Sequence, residues 1–86
     1  MRELDKTLTK YQCEFKQMSS TVLGYVYRKT CSSGLVTYEV FKRLENKKYK
    51  CISFPSDKAF GVWAWAYHNL DTAINKLNSF KPVKNK

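Results

Sequence analysis

The stretch WAWAYHNLDTAINKL, residues 63–77, decides the fold, because the spacing of its apolar residues changes part of the way along. In the first half large and small residues alternate, which is typical of a β-strand with side chains on both faces of a sheet. The second half has helical spacing, with apolar residues at Leu70, Ala73, Ile74 and Leu77. Asn69 is a suitable N-cap for that helix. We therefore predict a last strand over 60–67 and a helix over 70–80.

The alternation in 60–67 predicts which side of this strand the helix covers. One side carries Phe60, Val62, Ala64 and Ala66, and the other carries Gly61, Trp63, Trp65 and Tyr67. The small alanines would let a helix approach closely, so we expect it on their side. Trp63 and Trp65 would then either lie beneath the N-terminal segment or be displayed as a stacking platform. We favour burial, because large exposed apolar patches are uncommon on monomers.

Upstream of this stretch the chain is rich in β-branched and aromatic residues, which favour strands. Segments 21–30 and 35–44 predict a hairpin whose turn, CSSG, ends at Gly34. Segment 49–54 can add another strand, which Pro55 would end.

The N-terminal segment fits two patterns. A helical stripe runs through Leu4, Leu8, Tyr11, Phe15 and Met18. Residues 11–16 also alternate as a half-buried strand would, so a helix followed by a strand stays open. We prefer the helix, since it accounts for more residues. The predicted fold class is α+β: a small antiparallel sheet of three to four strands, a C-terminal helix on one face and an N-terminal helix. We expect residues 1–80 to form one domain and residues 81–86 to form a basic, mobile tail.

Three cysteines, Cys13, Cys31 and Cys51, lie 18 and 20 residues apart. The odd count and the absence of a C-x-x-C pair disfavour disulfides and zinc, so we expect small buried thiols. The first residues are polar rather than a signal peptide, and no apolar run approaches the ~20 residues of a membrane span. We therefore expect a cytoplasmic protein that does not enter membranes.

The net charge of +9 is unevenly distributed along the chain. Residues 42–50 carry five cations against one acid, and residues 81–86 carry three cations and no acid. Such clustering indicates an acidic partner, above all nucleic acid, although a lysine-rich surface also aids solubility. The candidate phosphate contacts around the turn are Lys42, Arg43, Lys47, Lys48 and Lys50.

Residues that could support catalysis are few. His68 is the only histidine, and the chain has neither a phosphate-binding glycine loop nor a nucleophile-elbow motif. We predict no enzymatic activity, no cofactor and no metal.

The order of strands followed by a short helix, with the junction WAWAYHNLDTAINKL, resembles the three-stranded-sheet-plus-helix DNA-binding domains of the AP2 and phage-integrase arm-binding type. In that family the sheet enters the major groove. The resemblance covers residues 21–80 and lacks the family's glycine and arginine signatures, and residues 49–54 would be an extra strand. By position it implies that the contacts to DNA are Arg28, Lys29, Lys42, Arg43, Trp63 and Trp65.

The function that follows is a small, basic, non-catalytic nucleic-acid-binding module, with DNA favoured over RNA. In size and lysine content the chain also resembles small uncharacterised proteins of phages and mobile elements. The alternative is a protein-binding module that uses an aromatic sheet face, as an inhibitor, an adaptor or a subunit of a homodimer.

Overall fold

The computed structural model of the chain describes residues 2–81. In chain order its elements are β1 (Thr7–Lys10), β2 (Cys13–Thr21), β3 (Gly24–Cys31), β4 (Val36–Lys42), β5 (Glu45–Asn46), β6 (Cys51–Ile52), a 3-10 helix (Asp57–Ala59), β7 (Ala64–Tyr67) and α1 (Leu70–Asn78). The predicted basic tail lies outside the described residues, apart from Lys81.

Five strands form one antiparallel sheet in the order β1-β2-β3-β4-β7. At its centre lies the predicted hairpin, which is confirmed as β3 and β4. In its turn Gly34 has a φ of 91°, a left-handed conformation that glycine adopts without steric cost. The α+β class and the C-terminal helix packed on the sheet are also confirmed. The sheet has five strands rather than three or four, because the N-terminal segment contributes two.

The predicted N-terminal helix is wrong. Strands β1 and β2 form a hairpin joined by Tyr11 and Gln12, which both have positive φ. The two patterns were hard to separate because Leu8 and Phe15, seven residues apart, share a face in a helix and also face each other directly in this hairpin. The strand is formed because it lets Phe15 fill the sheet core, where only 3% of its surface stays exposed.

The expectation of three free thiols is also wrong. Cys13 in β2 and Cys31 in β3 are directly opposite each other, with their Cα atoms 4.0 Å apart, and they form a disulfide. Cys51 is free and partly buried. The pairing depends on the register of two strands, and this information is absent from the cysteine spacing alone.

We call the side of the sheet opposite α1 the loop face, because the segment 44–63 covers it. The core there joins sheet residues Phe15, Tyr25, Tyr27, Phe41 and Ala64 to Ile52, Phe54 and Ala59 of the segment. The Phe54 ring lies 5.3 to 5.6 Å from the rings of its three aromatic neighbours. The predicted strand over 49–54 is reduced to β6, which pairs with β5 in a separate ribbon. This arrangement places Ile52 and Phe54 over the aromatic residues of the sheet.

We call the other side of the sheet the helix face. There Ala73, Leu77 and Phe80 pack against Val26 and Val40. The predicted N-cap is confirmed, since the Asn69 side-chain oxygen accepts hydrogen bonds from the backbone N–H groups of Asp71 (2.7 Å) and Thr72 (3.2 Å). Gly24 allows this packing, because a Cβ at that position would lie 2.8 Å from the Phe80 ring.

The prediction that the helix packs on the side of the strand that carries Ala64 and Ala66 is wrong. Ala64 belongs to the loop-face core, whereas Trp65 lies on the helix face. The strand begins only at Ala64, after a turn in which Gly61 has a φ of 85°. Alternation therefore does not extend back to Trp63, which packs on the loop face with its neighbour Ala64. The two tryptophans are on opposite sides of the sheet.

Candidate nucleic-acid interface

The nine residues predicted to bind nucleic acid do not form one surface. Lys47, Lys48 and Lys50 lie in the exposed turn between β5 and β6, which belongs to the segment over the loop face. Tyr49 in the same turn is 68% exposed, and the Lys48 ammonium lies 5.4 Å from the centre of its ring. This turn is a separate basic patch.

Arg43 is held within the protein. Its guanidinium donates hydrogen bonds to the Glu3 carboxylate (2.6 Å) and to the Tyr25 hydroxyl (2.6 Å), and Tyr25 donates to Glu3 (2.8 Å). The bond from Arg43 lowers the pKa of Glu3 to about 2. Burial, assisted by the bond to Glu3, raises the pKa of Tyr25 to about 12. The arrangement connects the N-terminal segment to β3 and β4, so Arg43 has a structural role.

Lys29 is also paired within the protein. Its ammonium lies 3.6 Å from a carboxylate oxygen of Glu39 and 5.7 Å from the centre of the Phe15 ring. Glu39 is buried, with 7% of its surface exposed, and burial raises its pKa. A buried carboxylate needs a partner, because removing the opposite charge is strongly destabilising. Lys29 therefore compensates a buried charge on the loop face.

The two tryptophans differ in their surroundings. Trp63 is half-buried and packs edge-on against Phe41, with the ring centres 6.3 Å apart. Trp65 is half-buried and packs against Phe80 at 5.7 Å, while the Lys76 ammonium lies 4.1 Å from the centre of the indole. Within residues 2–81 the cations lie around Trp65, whereas Trp63 packs against the loop-face core.

The cations around Trp65 form what we call the basic end: Lys42, Lys76 and Lys81 with Trp65 and Phe80. Together with Val62 and Ser79 these residues line an open hollow of about 330 Å³. The Lys42 ammonium lies 5.8 Å from the centre of the Phe80 ring. No acidic residue of the described chain lines the hollow. The arrangement offers three positive charges beside an indole, which is suitable for an anionic ligand with a flat ring.

The prediction from sequence found two members of the basic end, Lys42 and Trp65, and missed Lys76, Phe80 and Lys81. The helical spacing of residues 70–77 could have identified Lys76 as a candidate. This residue precedes Leu77 at the margin of the apolar stripe, so it lies where α1 meets its neighbouring strand. That the neighbour would be β7 depends on the tertiary structure.

Arg28 lies apart from the basic end, on the part of the helix face formed by the first three strands. It is half-buried and directly opposite Lys16 of β2. Both line a second open hollow, of about 490 Å³. Neither cation forms an ion pair with an acid in residues 2–81.

Within the described range, no three His, Cys, Asp or Glu side chains are grouped so that they could hold a metal ion. The helix that residues 2–81 contain is too short to span a membrane. No protein-family model matches the chain, and neither a curated protein nor a solved structure is significantly similar to it.

Proposed function

We propose that this chain is a small non-catalytic nucleic-acid-binding module whose main contact is the basic end. The observation that carries the proposal is the grouping of Lys42, Lys76 and Lys81 around Trp65 with no acid among the lining residues. Like charges repel one another, so such a group is favourable when a bound anion neutralises it.

The chemistry of the basic end is suited to a nucleic acid. Lysine ammonium groups contact phosphates as point charges, and a tryptophan offers a ring on which a base stacks. Neutralising three phosphates predicts a log–log salt slope of about −2.7 for duplex DNA and about −2.1 for a single strand. Binding should therefore weaken steeply as salt is raised.

The resemblance to sheet-plus-helix DNA-binding domains supports DNA over RNA but implies a different surface. In those domains an open sheet face enters the major groove, whereas here the segment 44–63 covers the face opposite α1. We therefore place the contact on the helix side. An origin in a phage or mobile element and a cytoplasmic location stay predictions.

The alternative function, protein binding through an aromatic sheet face, has less support. The rings that would make such a face are divided between the two sides of the sheet, because Trp63 lies on the loop face and Trp65 and Tyr38 on the helix face. The remaining three rings, those of Tyr25, Tyr27 and Phe41, are buried, with 0 to 3% of their surface exposed. We therefore place nucleic-acid binding ahead of it.

The test compares two triple variants with the same change of charge. Labelled single-stranded and duplex DNA are titrated with protein at several salt concentrations, and Kd is measured by fluorescence anisotropy. In Lys42→Ala/Lys76→Ala/Lys81→Ala we expect the salt slope to fall by about one for each lysine removed. The matched variant Lys47→Ala/Lys48→Ala/Lys50→Ala should retain most of the slope.

A tryptophan pair separates binding from stability. Trp65→Leu should weaken binding, whereas Trp63→Leu should lower stability and leave the affinity of the folded protein unchanged. Absence of binding by the wild-type chain at low salt would refute the proposed function. Equal losses in the two triple variants would refute the assignment to the basic end.

A further inference from the structure

A second surface on the helix face has no role in the proposal above. The register of the sheet places five side chains in one line across five strands: Thr7, Lys16, Arg28, Tyr38 and Tyr67. Each faces the next directly across a strand pair, so all five point to the same side of the sheet. We call this line the cross-strand row.

The first part of the row is open to solvent. The polar residues that line the hollow of about 490 Å³ are Thr7 and Thr9 of β1, Glu14 and Lys16 of β2, and Arg28 and Thr30 of β3, and Leu8 and Phe15 complete the lining. Helix α1 contacts β4, β3 and β7, whereas the hollow lies over β1, β2 and two residues of β3, Arg28 and Thr30. Lys16 is exposed and Arg28 half-exposed, so both charges are accessible to a ligand.

The second part of the row is aromatic. Tyr38 and Tyr67 are half-buried and pack against the helix-face cluster that contains Ala73 and Leu77 of α1. Their rings are therefore held in place while part of each remains accessible. Adjacent strands are about 4.8 Å apart, so the row extends roughly 14 Å from Lys16 to Tyr67.

We propose that the cross-strand row binds a single-stranded nucleic acid in an extended form. Lys16 and Arg28 contact phosphates, the threonine hydroxyls hydrogen-bond to the backbone of the ligand, and unpaired bases stack on Tyr38 and Tyr67. The inference rests on the proposed function and deepens it, since it makes a single strand the preferred ligand.

Two features of the row favour a single strand over a duplex. Sequence-tolerant stacking on protein aromatic rings needs bases whose faces are free, and in a duplex those faces are stacked on neighbouring base pairs. The two cations also lie next to each other in the row and the two rings follow them, so a strand whose phosphates contact Lys16 and Arg28 can direct its unpaired bases towards Tyr38 and Tyr67.

Glu14 limits the part of the hollow that an anion can occupy. It lies beside the row, opposite Thr9 on one side and Thr30 on the other, and it lines the same hollow as the two cations. Its carboxylate repels a phosphate that approaches from that side. Removing its charge should therefore strengthen binding, which gives a test that loss of folding cannot imitate.

The experiment uses the full chain and a fluorescein-labelled oligonucleotide, either single-stranded or annealed to its complement, with Kd measured by anisotropy. Lys16→Ala/Arg28→Ala should weaken single-strand binding at least tenfold and duplex binding much less. The control Lys6→Ala/Lys58→Ala removes two other exposed cations and should have a small effect on both. Glu14→Gln should tighten single-strand binding at least twofold.

A second pair of variants tests whether bases stack on the tyrosine rings of the row. Tyr67→Leu should weaken single-strand binding by about 5- to 150-fold, the range expected for the loss of one stacked base. Tyr49→Leu removes an exposed ring from the turn between β5 and β6 and should change affinity little. Thermal unfolding of every variant identifies any that fails to fold, and Glu14→Gln still tests the proposal in that case.

The inference would be overturned by unchanged single-strand binding in Lys16→Ala/Arg28→Ala or by no gain of affinity in Glu14→Gln. Displacement of the oligonucleotide by polyglutamate of equal charge at equal concentration would also overturn it. Displacement would show a general site for polyanions. If the protein binds duplex DNA through the basic end and no substitution in the cross-strand row changes its affinity, this inference is refuted but the proposed function is not. Binding to neither form would refute the proposed function itself.

Discussion

The ammonium nitrogen of Lys76 lies 4.1 Å from the centre of the Trp65 ring and connects the last turn of α1 to the edge strand β7. A lysine in the last turn of a helix also interacts favourably with the unpaired carbonyl groups there. Trp65 in turn packs against Phe80, which follows the helix. One side chain therefore stabilises the attachment of the helix and supplies a charge to the proposed binding surface.

Replacing Lys76 should cost both stability and affinity. In Lys76→Ala we expect the free energy of unfolding to fall by about 1 kcal/mol, from the lost cation–π contact and the helix-end interaction. Urea unfolding followed by tryptophan fluorescence measures this change. Lys58→Ala removes an exposed lysine from the 3-10 helix and should change stability by less than about 0.5 kcal/mol. Equal effects in the two variants would argue against the contact.

The disulfide should make a large contribution to stability. Cys13 and Cys31 are 18 residues apart, and closing a loop of this size stabilises a fold by about 3 kcal/mol in the chain-entropy description. Cys13→Ala/Cys31→Ala should lower the free energy of unfolding by that amount, as should a reductant. Cys51→Ala is the control, because Cys51 is unpaired.

Thiol titration of the unfolded chain tests the same bond directly. We expect one reactive thiol per molecule in oxidised protein and three after reduction. Three thiols in protein purified under air would show that the bond is not formed.

The contact between Glu3 and Arg43 should make stability depend on pH in acid. The pKa of Glu3 is about 2 in the folded protein against an ordinary value of 4.5, so folding favours its charged form. Its contribution is therefore complete above about pH 4.5 and is lost as the pH falls towards 2.

The change in stability over this pH window is measured by urea unfolding. It should be smaller in Glu3→Gln than in the wild type. Glu45→Gln is the matched variant, since Glu45 lies 3.9 Å from the same guanidinium, and it should keep most of the dependence. An unchanged profile in Glu3→Gln would count against this contact.

The turn between β1 and β2 should become more stable when glycine is introduced. Tyr11 and Gln12 have φ values of 55° and 61°, and two-residue hairpin turns of this kind favour asparagine and glycine. Because Gln12 lacks that freedom, Gln12→Gly should raise the free energy of unfolding by about 0.5–1 kcal/mol.

Gly34→Ala makes the opposite change. The site has no neighbouring atom within 4 Å, so the cost comes from its φ of 91° alone, and we expect about 1 kcal/mol of destabilisation. Thermal unfolding measures both variants. A loss of stability in Gln12→Gly would show that this turn does not have positive φ.

The local sequence pattern was sufficient to predict an element when that pattern is consistent with only one type of secondary structure. The helix at 70–78, its Asn69 cap and the hairpin of β3 and β4 were predicted because helical spacing, capping and turn preferences act over a few residues. The N-terminal segment was mispredicted because Leu8 and Phe15 satisfy a helix and a hairpin equally well. The choice between helix and hairpin depends on whether a neighbouring strand is available to pair with the segment that contains Phe15.

The candidate site was likewise predicted only in part from the sequence. The sequence identified Lys42 and Trp65 but also proposed Lys29 and Arg43, whose charges are paired with Glu39 and Glu3. Charge clustering along a chain does not reveal such partners, because Glu3 and Arg43 are forty residues apart. The cross-strand row was equally inaccessible, since its five members come from five strands.

The sequence by itself therefore determined the α+β class, the last helix with its cap, the central hairpin and the excess of positive charge. The tertiary structure decided which face α1 covers, that the loop face is closed by residues 44–63, that Cys13 meets Cys31, and which cations remain unpaired. The physical reason is the distance along the chain over which each kind of interaction acts. Backbone preferences and side-chain periodicity act between near neighbours, whereas strand register and burial depend on contacts between residues far apart in the chain.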